Sequence, residues 1–128
     1  MTVKIREVPP GRLVAVSPET TLVEVAREMR LEDCDSVAVM GDGRLVGIIT
    51  ERDLVRAIAD GVDSKQATAS VVMTPNPATV TTEEDVSVVA LKMMRLGIRH
   101  LPVVDAIGKP VGLLSARNLV AVLDRNSS

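Results

Sequence analysis

The chain contains no phenylalanine, tyrosine or tryptophan among its 128 residues. Apolar residues still make up 46% of it, so any packed core must be built from Val, Leu, Ile, Ala and Met. The same absence removes the stacking platforms on which single-stranded nucleic acids are usually held. The formal net charge is −2 and no basic run occurs, so nucleic acid is not an expected partner. A single cysteine, Cys34, excludes an intrachain disulfide; it reads as a small buried hydrophobe and fits a reducing compartment. Cys34 and the single histidine, His100, form no metal-binding spacing, so no metal site is expected. Ser and Thr are frequent, yet no nucleophile–base–acid arrangement can be read from them. The glycines sit in turns and form neither a dinucleotide fingerprint nor a phosphate loop. No catalytic residues, no catalytic cofactor and no enzymatic activity are therefore expected. No apolar run approaches the roughly 18 residues of a membrane span. Residues 1–7 are mixed in charge and lack the apolar stretch of a signal peptide, so the expected location is the cytoplasm.

What the sequence does have is an internal repeat. Residues 43–55, Gly-Arg-Leu-Val-Gly-Ile-Ile-Thr-Glu-Arg-Asp-Leu-Val, align with 108–120, Gly-Lys-Pro-Val-Gly-Leu-Leu-Ser-Ala-Arg-Asn-Leu-Val, at a shift of 65. Of these 13 positions six are identical and five chemically similar. Upstream the shift is 64, placing Leu22, Ala26 and Met29 on Val86, Ala90 and Met93. The turn Gly41-Asp42-Gly43 lies where one residue is absorbed.

Each repeat reads as strand, helix, strand, strand, helix. Val14–Val16 and Thr79–Val80 are short strand signals. Thr21 with Glu24 forms a capping box ahead of Leu22, Val25, Ala26 and Met29, which recur at helical spacing. Asp85 takes the corresponding place before Val86, Val89, Ala90 and Met93. Strands are predicted over 37–40, 45–49, 101–104 and 111–114, and second helices over 51–59 and 116–124, with Gly61 ending the first of these. The expected fold class is α/β (α+β): two β-α-β-β-α repeats packed as a pseudo-twofold pair, since about 60 residues bury too little surface alone. The expected division is 1–64, the first repeat with the N-terminal segment, and 65–128, the second with the linker.

The segments Gly47-Ile48-Ile49-Thr50-x-x-Asp53, Val72-Met73-Thr74-Pro75 and His100-Leu101-Pro102-Val103-Val104-Asp105 carry a family resemblance. Over essentially its whole length the chain resembles a tandem pair of CBS domains, or Bateman module. The resemblance implies a regulatory module that binds an adenosine-containing ligand (AMP, ADP, ATP or S-adenosylmethionine) in the cleft between the repeats. Output would pass in trans to an unknown effector protein, since no catalytic or transport domain accompanies the pair.

The resemblance also assigns residues. Asp53, with Thr50, would accept hydrogen bonds from vicinal ribose hydroxyls, chemistry a carboxylate suits. The same two residues would serve equally well as a helix cap. Arg99 and His100 would donate to phosphate, the guanidinium fork matching its oxygens. Pro77, Ala78 and Thr79 would hold adenine by apolar contact and backbone hydrogen bonds, with Ile48 on the other side; Val80 reads as core. In the second, weaker cleft Asn118 and Ser115 replace Asp and Thr, while Asp35 and Ser36 occupy the phosphate position. A carboxylate there repels phosphate, and Arg12 or Arg117 would have to offset it. One nucleotide per chain is the expected stoichiometry. The alternative function is a ligand-free structural or protein-interaction pair. The apolar residues Val86, Val88, Val89, Leu91, Met93, Met94 and Leu96 cover more than one helix face. Together with the resemblance, they imply a twofold homodimer through these helices.

Overall fold

The structure, a computed structural model, describes residues 2–9 and 11–127, and from residue 124 the backbone only. The fold is mixed α/β, with two sheets and, among the described residues, five helices. The chain divides into two compact units: Leu13–Pro77, and Met1–Arg12 with Ala78–Ser128. The N-terminal segment packs within the unit of the second repeat.

In the unit Leu13–Pro77, β1 (Ala15–Val16) runs parallel to β2 (Ser36–Gly41), which pairs antiparallel with β3 (Arg44–Thr50) and through it with β4 (Thr74–Pro75). The β2–β3 hairpin turns on Asp42 and Gly43, both at positive φ (51° and 74°), the conformation that two-residue hairpins favour. Helix α1 (Leu22–Glu32) begins at the capping box read from the sequence: Glu24 N–H donates to Thr21 Oγ1 at 3.3 Å, and Thr21 N–H to Glu24 Oε1 at 3.2 Å. The bonds from Thr21, its hydroxyl first, hold the Glu24 carboxyl below its usual pKa. Helix α2 (Glu51–Ala59) follows β3 directly and stops before Gly61, whose φ of +79° a side chain would strain. A short helix, α3 (Ala69–Val72), leads into β4. The core gathers Val14, Val25, Met29, Val37, Val39 and Ile49. Gly47 lies in close approach to α3's end, since a Cβ there would fall on the Met73 thioether and the methionine would have to shift.

The other unit repeats this plan. Its β5 (Val80–Thr81) runs parallel to β6 (His100–Val104), which pairs antiparallel with β7 (Pro110–Ser115). Strand β5 lies one residue later than the sequence signal at 79–80. Helix α4 (Val86–Leu96) ends on Gly97 at φ +65°, and α5 (Ala116–Ser127) extends past residue 124. Asp85 stands at the N-cap of α4 but makes no capping bond with its side chain; its carboxylate instead pairs with Lys4 Nζ at 3.1 Å. The N-terminal segment explains this diversion. Ile5 N–H donates to the Glu84 carbonyl, Val86 N–H to that of Val3, and Gly11 N–H to that of Leu113. Ile5 and Val8 are buried with Val80, Val89, Leu101 and Leu114. Two apolar side chains, Ile5 opening a 3-10 turn (Ile5–Glu7) and Val8 just after it, thus join the core of the second repeat.

Candidate functional site

In the unit Leu13–Pro77, the candidate residues meet where β2 begins and β3 ends. Ser36 lies opposite Thr50 in the ladder, and Glu51 N–H donates to the Asp35 carbonyl at 3.0 Å. Ser36 is buried; Asp35, Thr50 and Asp53 are half-buried. Ile48, 7% exposed, pairs with Thr74 on the neighbouring strand, and Pro77 closes the unit, half-buried. Thr50 and Asp53 form a reciprocal capping box at the start of α2. Asp53 Oδ2 accepts from Thr50 N–H at 2.8 Å and from its hydroxyl at 3.1 Å, and Asp53 N–H donates to Thr50 Oγ1 at 3.3 Å. One carboxylate oxygen does all the capping, so Oδ1 stays outside the box.

The second repeat builds the same box from other atoms. Asn118 Oδ1 accepts from Ser115 N–H at 2.8 Å and from its hydroxyl at 2.9 Å, and Asn118 N–H donates back at 3.3 Å. An amide caps here as well as a carboxylate does, but its remaining group is an –NH₂ donor. Arg99 and His100 stand beside this box: His100 pairs with Ser115 across the ladder, and Ala116 N–H donates to the Arg99 carbonyl at 2.8 Å. Arg99 is exposed and His100 half-buried. Ser115, Arg117, Asn118 and Ala121, joined by Pro9, line an open concavity of about 370 Å³. Pro9 carries no sequence signal for this place; only the docking of the N-terminal segment brings it there.

The structure thus brings Asp35 and Ser36 together with Thr50 and Asp53 in one unit, and Arg99 and His100 with Ser115 and Asn118 in the other. The first cluster is acidic. The second holds Arg99 and His100 next to an uncharged cap, with Arg117 on the wall of the concavity.

Sequence reasoning missed Lys92. Its ammonium, half-buried on α4, donates to the Thr79 carbonyl at 3.0 Å and so ties the segment leading into β5 to the helix. Ala78 next to it is exposed. The equivalent residue of the first repeat, at a shift of 64, is Glu28, which cannot donate when ionised. Lys92→Met is expected to cost about 1.5 kcal/mol, the lower end for a hydrogen bond from a charged group, given partial exposure. Urea unfolding followed by circular dichroism measures this; an unchanged midpoint would show that water replaces the ammonium without loss.

Among the described residues no three His, Cys, Asp or Glu side chains converge as metal ligands, and no helix is long and apolar enough to cross a membrane. Cys34 is half-buried, its N–H bonded to the Met29 carbonyl at the end of α1.

The repeated sheet and helix plan, each copy with a capping box after its hairpin, defines the class. The CBS-domain family model matches residues 5–60 and 69–125, and the chain belongs to that family. A 17.7 kDa protein of Acidianus ambivalens is 34% identical over 96% of this chain and 74% of its own. L-aspartate semialdehyde sulfurtransferase of Methanosarcina acetivorans is 28% identical over 94% of this chain, which spans only 24% of that longer protein. The structure of a CBS-domain protein of Pyrobaculum aerophilum complexed with AMP is similar at a TM-score of 0.85 and 29% identity, covering 98% of this chain and all of that one.

Proposed function

We propose that the chain is a regulatory module that binds an adenosine-containing ligand and passes the signal to a partner protein, without catalysing a reaction. The observation that carries this reading is the division of labour at Asp53. Its Oδ2 serves the helix cap while Oδ1 remains to accept from a ribose hydroxyl. The relative complexed with AMP supports the ligand class, and ADP, ATP and S-adenosylmethionine share its adenosine.

In this reading both repeats contribute anchors. Thr50 and Asp53 receive ribose, Arg99 and His100 receive phosphate, and Pro77, Ala78, Thr79 and Ile48 contact the base. The second set, Asn118 and Ser115 with Asp35 and Ser36, has a weaker ribose acceptor and the wrong charge for phosphate, so one nucleotide binds per chain. Calorimetric titration with AMP, ADP, ATP and S-adenosylmethionine tests the proposal. Saturable binding of at least one at one per chain is expected. Failure of all four favours the ligand-free, protein-interaction alternative, and two equivalent sites per chain would remove the asymmetry. Arg99→Ala is expected to weaken ATP and ADP by roughly tenfold or more, the scale of a lost bond from a charged donor, and adenosine little. Equal losses for adenosine and ATP would refute the phosphate role. The proposed location is the cytoplasm and the proposed assembly a homodimer through the helices.

A further inference from the structure

One charged side chain stands at the candidate base-contacting segment outside the proposed ligand anchors. Lys92 lies on α4, half-buried, with its Nζ donating to the Thr79 carbonyl at 3.0 Å. Thr79 is itself half-buried, and Ala78 before it is exposed. Both precede β5, whose first residue, Val80, is fully enclosed. Lys92 therefore brings an ammonium to the part of this unit assigned to the base. An ammonium has three N–H donors and no acceptor, and the bond to Thr79 engages one of the three.

The first repeat builds the same elements without this donor. Val16 and Val80 hold equivalent places in the two sheets, pairing with Val39 and Val103, which are 64 residues apart. At the same shift Thr79 falls on Ala15, and Lys92 on Glu28, which is also half-buried. The lysine is thus a property of the second repeat alone and not a need of the fold.

Purines differ at the edge that such a group would meet. Adenine presents its N6 amino group, a donor, beside N7; guanine and hypoxanthine present O6 and N7, both acceptors. A lysine ammonium pairs with O6 and N7, whereas the amino hydrogens of adenine repel it. The Thr79 carbonyl is an acceptor suited to adenine, but one of its two lone pairs is already given to Lys92.

We propose that Lys92 is a specificity-determining residue that opens the base position to 6-oxopurine nucleotides, of the IMP and GMP kind, alongside AMP. The proposal rests on the reading that Ala78 and Thr79 contact the base, and it adds which bases are taken. AMP and IMP share ribose and phosphate and differ only along the edge of the base at C6 and N1. The ratio of their affinities therefore isolates that edge from the ribose and phosphate anchors.

Calorimetric titration of the full chain with AMP, IMP and GMP tests this in the wild type, Lys92→Met and Lys92→Arg. Wild type is expected to bind IMP within about tenfold of AMP, a gap no wider than one hydrogen bond from a charged donor. Lys92→Met should weaken IMP and GMP by roughly tenfold relative to AMP, the loss of that bond. Lys92→Arg keeps a charged donor and should keep the wild-type ratio. If Lys92 serves only to brace Thr79, Lys92→Met weakens all three nucleotides equally, and the unchanged ratio overturns the proposal. Wild-type binding of AMP with IMP outside the stated range also overturns it, and leaves the adenosine reading standing. Binding of no nucleotide removes that reading and the proposal with it.

Discussion

Asp53→Asn is expected to leave thermal stability nearly unchanged while weakening AMP binding by about ten- to a hundredfold. Both halves of this expectation come from the second repeat. There Asn118 already occupies the equivalent position and closes its capping box at 2.8, 2.9 and 3.3 Å, within 0.2 Å of the bonds that Asp53 makes. An amide at position 53 can therefore cap α2 through Oδ1. It presents a donor, however, where the carboxylate presents its second acceptor, and the charge is lost. A hydrogen bond to a charged group contributes about 1.5–3 kcal/mol, which sets the range. Asp53→Ala removes the cap as well and should cost about 1 kcal/mol of stability in addition. The pair of variants separates the two roles of one side chain. Calorimetry gives the affinity, and melting with an external dye gives the stability, because the chain has no aromatic fluorophore. Wild-type affinity in Asp53→Asn would reduce Asp53 to a capping residue.

Leu114→Ala is expected to destabilise the protein by about 2–5 kcal/mol, the cost of a large-to-small change in a core that cannot collapse around the vacancy. Leu114 is fully enclosed on β7, at 0% exposure, among Val80, Val89 and Leu101. Its equivalent in the first repeat, Ile49 at a shift of 65, is enclosed to the same degree in the other core. With no aromatic ring in either core, each aliphatic side chain carries a larger share of the packing. For units of this size each kcal/mol corresponds to about 4–8 °C in Tm, so a fall of about 10 °C or more is expected. A loss under about 1 kcal/mol in Leu114→Ala would mean that the core around β7 repacks freely.

Much of this was legible in the sequence. The repeat announced itself because β3–α2 and β7–α5 kept both their apolar alternation and their turn chemistry. Thr21 with Glu24 and Thr50 with Asp53 revealed helix starts because capping is local, three residues apart. The Ser115–Asn118 departure was visible at once as a change of atom type. What local reading could not reach were contacts closed by tertiary structure. Ile5 and Val8 are too few to establish a period, so their burial in the second repeat left no signal. Asp85 occupies its N-cap position, but Lys4, some eighty residues upstream, draws off its carboxylate. The Lys92–Thr79 bond spans 13 residues and matches no helical or hairpin spacing. The single-residue offset of β5 is within the ordinary fraying of a two-residue strand. Of the candidate site, the residue types and their neighbours within each repeat were readable; the participation of Pro9 was not.

The docking of Ile5 and Val8 makes one unit discontinuous in sequence and leaves the other continuous. Residues 13–77 form one continuous stretch, so that unit is complete in the chain once Pro77 has been made. The other unit is discontinuous: residues 3–8 must wait for Val80, Leu101, Leu114 and finally Leu119 and Val122 before their apolar side chains have anything to enclose them. Closing so wide a loop is slow compared with local pairing. During synthesis, at about 5–20 residues per second, the N-terminal segment therefore travels exposed for several seconds. The ion pairs Lys4–Asp85 and Arg6–Glu83 join the two ends of that loop, so they can form only once residues 83–85 have been made.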